Sequence, residues 1–330
     1  MHITCSAPTR IDLAGGTLDI WPLYLFHQPA VTINAAISLR AHCGITSRED
    51  GRVVLASEDT GEHVAAESPA ALGVGTLPLL ARLVKHFDAR GLTLTTRSDS
   101  PVGAGIAGSS ALNIAVISAL AAFTGRAMTD DDRLELAQNV EAQVINVPTG
   151  VQDYRPALYG GIAAVELSTT GVRRVPLAVD PAALAARVVL AYTGATRNSG
   201  INNWDMMKRH IDGEAVVVAA FDRIAAIARE IRGALECGDW TATGAALAAE
   251  WENRKRLAPG VTTSAIDGLL ARAHDAGALA GKVCGAGGGG CLFCLTPPER
   301  HAAVSAALAD GGARLLPFTI EAHGVHLTQE

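Results

Sequence analysis

The stretch "PVGAGIAGSSAL", residues 101–112, decides how the chain is read. Gly103, Gly105 and Gly108 spell G-x-G-x-x-G, the fingerprint of a dinucleotide-binding turn, but Ser109 and Ser110 follow at once. That fingerprint needs a strand before it, a helix after it and then a second strand ending in an acid. Here the segment after Phe123 reads "TGRAMTDDDRLELA", a turn and another helix. A phosphate-binding loop uses everything in the stretch. Glycines let consecutive N–H groups converge on an anion, and the next helix aims its positive end at the same point. The two hydroxyls add reach toward a phosphate oxygen or a divalent cation. The near miss "GALAGKV" (277–283) lacks the spacing and the Ser/Thr of a nucleoside-triphosphate P-loop.

Outward from the loop, residues 1–14, 52–57 and 91–96 alternate as strands, and 30–45 reads as one or two more. Residues 75–89 carry helical spacing. Ser109 to Phe123 is apolar nearly all round, the pattern of a buried helix. Thr129 is placed to cap a helix whose first turn is acidic and which Pro148 ends. Strands are expected at 160–167 and 187–194, and helices near 213–236, 239–256, 263–276 and 298–310. Elements are mixed, not strictly alternating, so the fold class is α+β. Composition turns Ala-rich after about residue 185, and a boundary is drawn at 175/176, giving domains 1–175 and 176–330.

Bulk numbers narrow the function. With 49% hydrophobic residues the chain can bury a core, and a net charge of −6 without basic runs argues against nucleic acid and anionic membrane. A small molecule is the expected partner; a homodimer is compatible with this. No signal peptide is apparent, so a cytoplasmic location is expected. Six cysteines are scattered, and the Cys291–Cys294 pair sits in an apolar strand, so structural thiols are expected.

Three separated motifs carry a family resemblance: "APTRIDLAGGTLD" (7–19), the quoted loop, and "KVCGAGGGGCLFC" (282–294). Together with "VQDYRPALYGGI" (151–162) and "YTGATRNSG" (192–200), they resemble the galactokinase, homoserine kinase, mevalonate kinase and phosphomevalonate kinase (GHMP) superfamily. "RIDLAGGTLDIWP" is most similar to its branch of fucose and heptose-phosphate kinases. The resemblance implies two domains, an N-terminal one like ribosomal protein S5 and a ferredoxin-like C-terminal one, with ATP between them. It implies Mg²⁺ and transfer of the γ-phosphoryl group to a hydroxyl of a sugar or sugar phosphate. A ligand sensor on the same fold and a mevalonate-type acceptor are the alternatives.

Residue by residue, the resemblance implies that Pro101, Gly103, Ala104, Gly105, Ala107, Gly108, Ser109 and Ser110 hold the nucleotide phosphates. Ser110 and Glu141 would bind Mg²⁺; Glu141 lies on the largely apolar helix face of Leu134, Val140 and Val144, where a carboxylate needs a partner. Asp153 would be the general base and Arg10 an electrostatic clamp facing it. Gly16, Thr17, Asp19 and Arg197 would contact the acceptor, while Asp12 is expected only to cap or pair locally. Glycines 285 and 287–290 are expected to buttress the phosphate loop. A phosphorylated acceptor asks for further cations, for which Arg40, Arg155 and Arg197 are candidates.

Overall fold

The computed structural model describes residues 1–195 and 199–330, with the side chains of all of these except 199–202. The chain opens with β1 (His2–Ala14), α1 (Leu23–Phe26), β2 (Ala30–Ser47), β3 (Val53–Ser57) and β4 (His63–Ala66). Next come α2 (Pro78–Phe87), β5 (Leu92–Ser98), α3 (Gly108–Thr124), α4 (Asp130–Ile145), α5 (Tyr154–Tyr159), β6 (Ile162–Ser168) and β7 (Gly171–Pro176). After α6 (Pro181–Ala185) and β8 (Val188–Tyr192) there are four helices, α7 (Ser199–Ile211), α8 (Ala215–Glu236), α9 (Trp240–Arg254) and α10 (Ser264–Asp275). The chain closes with β9 (Ala280–Val283), β10 (Cys291–Leu295), α11 (His301–Asp310), β11 (Arg314–Leu315) and β12 (His326–Gln329).

Two sheets organise these elements, and the class is α+β. The larger has eight strands, ordered β12-β1-β2-β5-β3-β4, with β6 on β2 and β7 on β6. Residues 30–45, open between one strand and two, form a single strand because β2 serves two partners in turn. Its first half pairs with β6 and its second half with β5, while β1 runs along nearly its whole length. The smaller sheet has four strands, β11-β8-β10-β9. Strand β12 returns to pair with β1, so the last strand lies on the N-terminal sheet.

Helix α3 is the pivot of the N-terminal half. Its residues from Ser110 to Ala121 are buried, except for the partly covered Leu112, because β1 and β2 lie on one side and α2, α4 and α5 on the others. Helix α4 begins as its sequence demands. Thr129 Oγ1 accepts from Asp132 N at 3.1 Å, and Asp132 Oδ2 accepts from Thr129 N at 2.8 Å, a capping box. Helices α8 and α9 pack together and bring α9 against β9 and β1. That contact places residues of the C-terminal half beside the first glycine motif. No helix among the described residues is long and apolar enough to cross a membrane.

Candidate functional site

The phosphate loop is shaped by backbone steps that few residue types adopt. Gly103 and Gly105 have φ of 71° and 77°, and Ala107, the residue capping α3, has φ of 61°. Helix α3 therefore starts at Gly108, the third glycine of the fingerprint. The loop's carbonyls are tied down from behind. Ala104 O accepts from Cys291 N at 2.6 Å, Ile106 O from Arg10 N at 3.0 Å, and Gly105 O from Arg10 Nη1 at 3.1 Å. Among the described residues, no acceptor meets the N–H groups of Gly105 to Ser110. Those amides are left for a ligand at the helix's positive end. Gly290, with φ of 77°, backs the loop so closely that a Cβ there would meet Ala104 O at 2.6 Å. The third glycine motif thus supports the first turn of the phosphate loop by backbone approach.

A cavity of about 450 Å³ opens in front of this loop. Pro101, Gly103, Ala104, Gly105, Ala107, Gly108 and Ser109 all line it, as do Arg10, Thr17, Asp19, Glu141 and Asp153. Ser110 stands behind the wall. Its Oγ donates to Glu141 Oε2 at 2.9 Å, and Ser109 Oγ donates to Oε1 at 2.6 Å. Glu141 is buried and pairs with no cation among the described residues. Burial, aided by the charge of Asp153, raises its pKa against the hydroxyl bonds that oppose the shift. A buried carboxylate flanked by two hydroxyls is a set of hard oxygen donors suited to Mg²⁺.

Arg10 and Asp153 meet across 143 residues of sequence, with Nε to Oδ1 at 2.9 Å and Nη2 to Oδ1 at 2.8 Å. The Arg10 side chain is 1% exposed and that of Asp153 is 28% exposed. Arg10 is thus no surface arginine. Burial works against its charge, but the carboxylates of Asp153 and Asp12 outweigh it and raise its pKa. Both bonds land on Oδ1, and none among the described residues lands on Asp153 Oδ2. The free oxygen belongs to a cavity-lining residue and can take a proton there.

Asp19 Oδ2 accepts from Gln152 N at 2.9 Å. A Cβ on Gly150 would stand 1.9 Å from that oxygen, so only glycine fits beside it. Burial, then the nearby charge of Asp153, pushes the Asp19 carboxyl up to about 7. Thr17 lines the cavity with φ of 78°, although its hydroxyl accepts from Arg254 Nη2 at 3.2 Å. Gly16 is not on the wall; its carbonyl accepts from Arg254 Nη1. Arg197 lies outside the described residues.

Two expectations change. Asp12 does not pair locally. It is fully buried, with Oδ2 3.1 Å from Arg254 Nη1 and Oδ1 3.5 Å from Lys282 Nζ. Lys282 Nζ also reaches Glu250 Oε1 at 2.6 Å, so four buried charges balance two against two. Those cations overcome the effect of burial and lower the Asp12 pKa. Sequence reading missed the other three. The available signals were Glu250 and Arg254 at i, i+4 on a helix and Lys282 at the head of the third glycine motif. Neither Arg40 nor Arg155 lines the cavity. Arg40 is occupied by Ser6, Gly324 O and Glu321, and Arg155 Nη1 donates to Val151 O. Among the described lining residues Arg10 is the only Arg or Lys. The cysteines of the apolar strand, Cys291 and Cys294, are buried in β10.

Comparison with known proteins gives matches along the chain. Residues 75–161 match the GHMP kinase N-terminal domain, and residues 219–313 the GHMP kinase C-terminal domain. The D-glycero-alpha-D-manno-heptose 7-phosphate kinase of Campylobacter jejuni is 31% identical, with 98% of both chains covered. A galactokinase of Mycobacterium bovis is 27% identical over 91% of this chain and 90% of its own. Among solved structures, a D-glycero-D-manno-heptose 1-phosphate kinase from Bacteroides thetaiotaomicron superposes with a TM-score of 0.79 at 25% identity, covering 99% of each chain. A sugar kinase from Campylobacter jejuni, described as putative, gives 0.80 at 29% identity, covering 100% of this chain and 98% of its own.

Proposed function

The chain belongs to the GHMP kinases, and on that premise we propose that its acceptor is a phosphorylated sugar of the heptose type. It is an ATP-dependent kinase that transfers a phosphoryl group to a hydroxyl of a sugar or sugar phosphate. We assign the γ- and β-phosphates to the free amides of Gly105 to Ser110 and a Mg²⁺ ion to Glu141 with Ser110. The metal supplies charge neutralisation on the phosphates when bound. The acceptor lies between Asp19 and Asp153. Asp153 Oδ2 takes the hydroxyl proton as the acceptor oxygen bonds to the γ-phosphorus. The bond to the β-phosphate oxygen breaks, and ADP leaves. Arg10, locked on Asp153 Oδ1 and Gly105 O, orients the base and meets the charge of the transferred group.

The single observation that carries the catalytic reading is the unshared Oδ2 of Asp153, held beside a buried arginine at the mouth of the amide nest. Support for a phosphorylated acceptor comes from the relatives, two of which are heptose phosphate kinases. We further propose a cytoplasmic location, where ATP is supplied. We also propose a domain boundary at 175/176, with β12 crossing back to the first sheet. ADP release, assayed with heptose 7-phosphate, heptose 1-phosphate, fucose, galactose and mannose, tests the acceptor. The expected result is a kcat/KM at least about tenfold higher for one heptose phosphate than for any free sugar, one charged contact's worth of discrimination. Equal turnover of free sugars overturns the proposal.

A further inference from the structure

We propose that Arg254 is a positioning residue for the acceptor: it holds loop 15–19 in its strained form and so sets where Asp19 stands. This inference rests on the reading of Asp19 as part of the acceptor site. Loop 15–19 closes on itself through two long backbone bonds, Leu18 N to Gly15 O at 3.2 Å and Ile20 N to Thr17 O at 3.3 Å. Gly15 has φ of 75°, and Thr17, a β-branched residue, has φ of 78°. Left-handed backbone at such a residue is unfavourable and persists only where its surroundings impose it.

Asp19 is also tied to Gln152 N, and the further restraint on Gly16 and Thr17 comes from α9, more than 230 residues along the chain. Arg254 Nη1 donates to Asp12 Oδ2 at 3.1 Å and to Gly16 O at 3.2 Å. Its Nη2 donates to Thr17 Oγ1 at 3.2 Å and to Gly285 O at 2.5 Å. One planar guanidinium therefore bridges β1, the acceptor loop and the third glycine motif. Arg254 Nε, also buried, has no hydrogen-bond partner among the described residues, so the group is placed by the loop's acceptors and not by satisfaction of all its own donors. Glu250, one turn earlier on α9, takes Gly15 N on Oε2 at 3.3 Å. Gly16 must lack a side chain, because a Cβ would sit 2.0 Å from Asp12 Oδ2 and 2.8 Å from Arg254 Nη1. Nothing in this arrangement touches the cavity except Thr17, Gly285 and, through the loop, Asp19. Arg254 thus acts on the sugar side through the loop's shape.

Arg254→Lys keeps the charge that Asp12 and Glu250 need but cannot bridge four acceptors. Thr17→Val removes one bridge and leaves every charge in place. Amide exchange by mass spectrometry reads the loop directly. Both variants should raise exchange in residues 15–20, Arg254→Lys by about tenfold or more, while β5 keeps its protection. In turnover, KM for the sugar acceptor should rise about tenfold for Arg254→Lys with the affinity for ADP unchanged, the signature of a misplaced contact. The two substitutions should be non-additive in a double-mutant cycle. Unchanged exchange in 15–20, or an equal gain in β5, overturns the proposal. So does a rise in KM for Thr17→Val without a gain in exchange, since Thr17 would then be touching the sugar itself. If Arg254→Lys fails to fold, Thr17→Val decides alone. A wild-type protein inert toward all sugar phosphates overturns the acceptor reading, and the exchange experiment still decides the role of Arg254.

Discussion

Arg10 and Asp12 stand two residues apart on β1, and each begins an ion cluster. Arg10 meets Asp153, whose side chain keeps 28% exposure and one oxygen that no described residue bonds. Asp12 meets Arg254 and Lys282, and Glu250 completes a set in which no side chain exceeds 1% exposure. The first cluster is open and unevenly satisfied; the second is sealed and balanced in charge. A sealed, paired cluster can hold structure but cannot receive a substrate. An open one must have a group left over, because chemistry needs an acceptor that the fold has not already used. On the proposed reading of Asp153 as the base, the unshared oxygen, and not buried charge alone, marks the reacting residue of this kinase.

The largest expected effect separates the two clusters outright. Asp153→Asn should lower kcat by about 10²–10⁴ and leave ADP affinity and the unfolding midpoint near those of the wild type. Retained turnover would remove the distinction. Lys282→Met probes the other cluster. It strips Glu250 Oε1 of its 2.6 Å partner and leaves a negative charge in excess in a sealed site. Loss of one partner from a buried pair costs about 3–5 kcal/mol, to be read from urea unfolding. A stable Lys282→Met protein would mean that the sealed cluster holds little. Gly290→Ala is the next step down, because it touches neither cluster and only the support of the phosphate loop. Its new Cβ would press on Ala104 O at 2.6 Å in a left-handed conformation. The expected cost is about 1–2 kcal/mol, seen in calorimetry as roughly tenfold weaker ADP binding with acceptor KM unchanged.

The same contrast explains what was legible in the sequence. The open cluster and the nest follow local rules: glycines at fixed offsets, small residues entering a helix, and an acid in a glycine-flanked turn. Thr129, α3 and the strands at 1–14 and 91–96 are likewise visible, because capping and hydrophobic periodicity are local. The pairing of Arg10 with Asp153 needed a family resemblance as well, since 143 residues separate them. Nothing local announces that Arg254 serves Gly16 and Thr17, or that Lys282 ends against Glu250. Those contacts come from the packing of α9 on β1 and β9, and tertiary packing is not written in periodicity. Asp12 reads as an acid that only caps or pairs locally for the same reason: its partners lie 242 and 270 residues away. Strand β7 was missed because its residues "GVRRVP" are charged and half-exposed at a sheet edge, with no alternating apolar face to read.

A pH-dependent effect concerns Asp19, which feels the charges of both clusters. Its carboxyl is pushed up to about 7 by burial and by the charge of Asp153. The unfolded chain releases the same proton near about pH 4. Between these values the folded state binds more protons than the unfolded state, so this group makes stability fall as pH rises. The loss is complete once pH passes through the folded value, and the curve is flat in this term above it. Asp19→Asn has no proton to release and lacks that slope, apart from a constant offset for the changed hydrogen bond to Gln152 N. Relative to the wild type, its unfolding temperature should therefore climb between pH 5 and pH 8. A separation that stays the same at both values would show that Asp19 is ionised throughout. It would then stand with the charge-paired residues of the sealed cluster and not with the strained, desolvated groups beside the cavity.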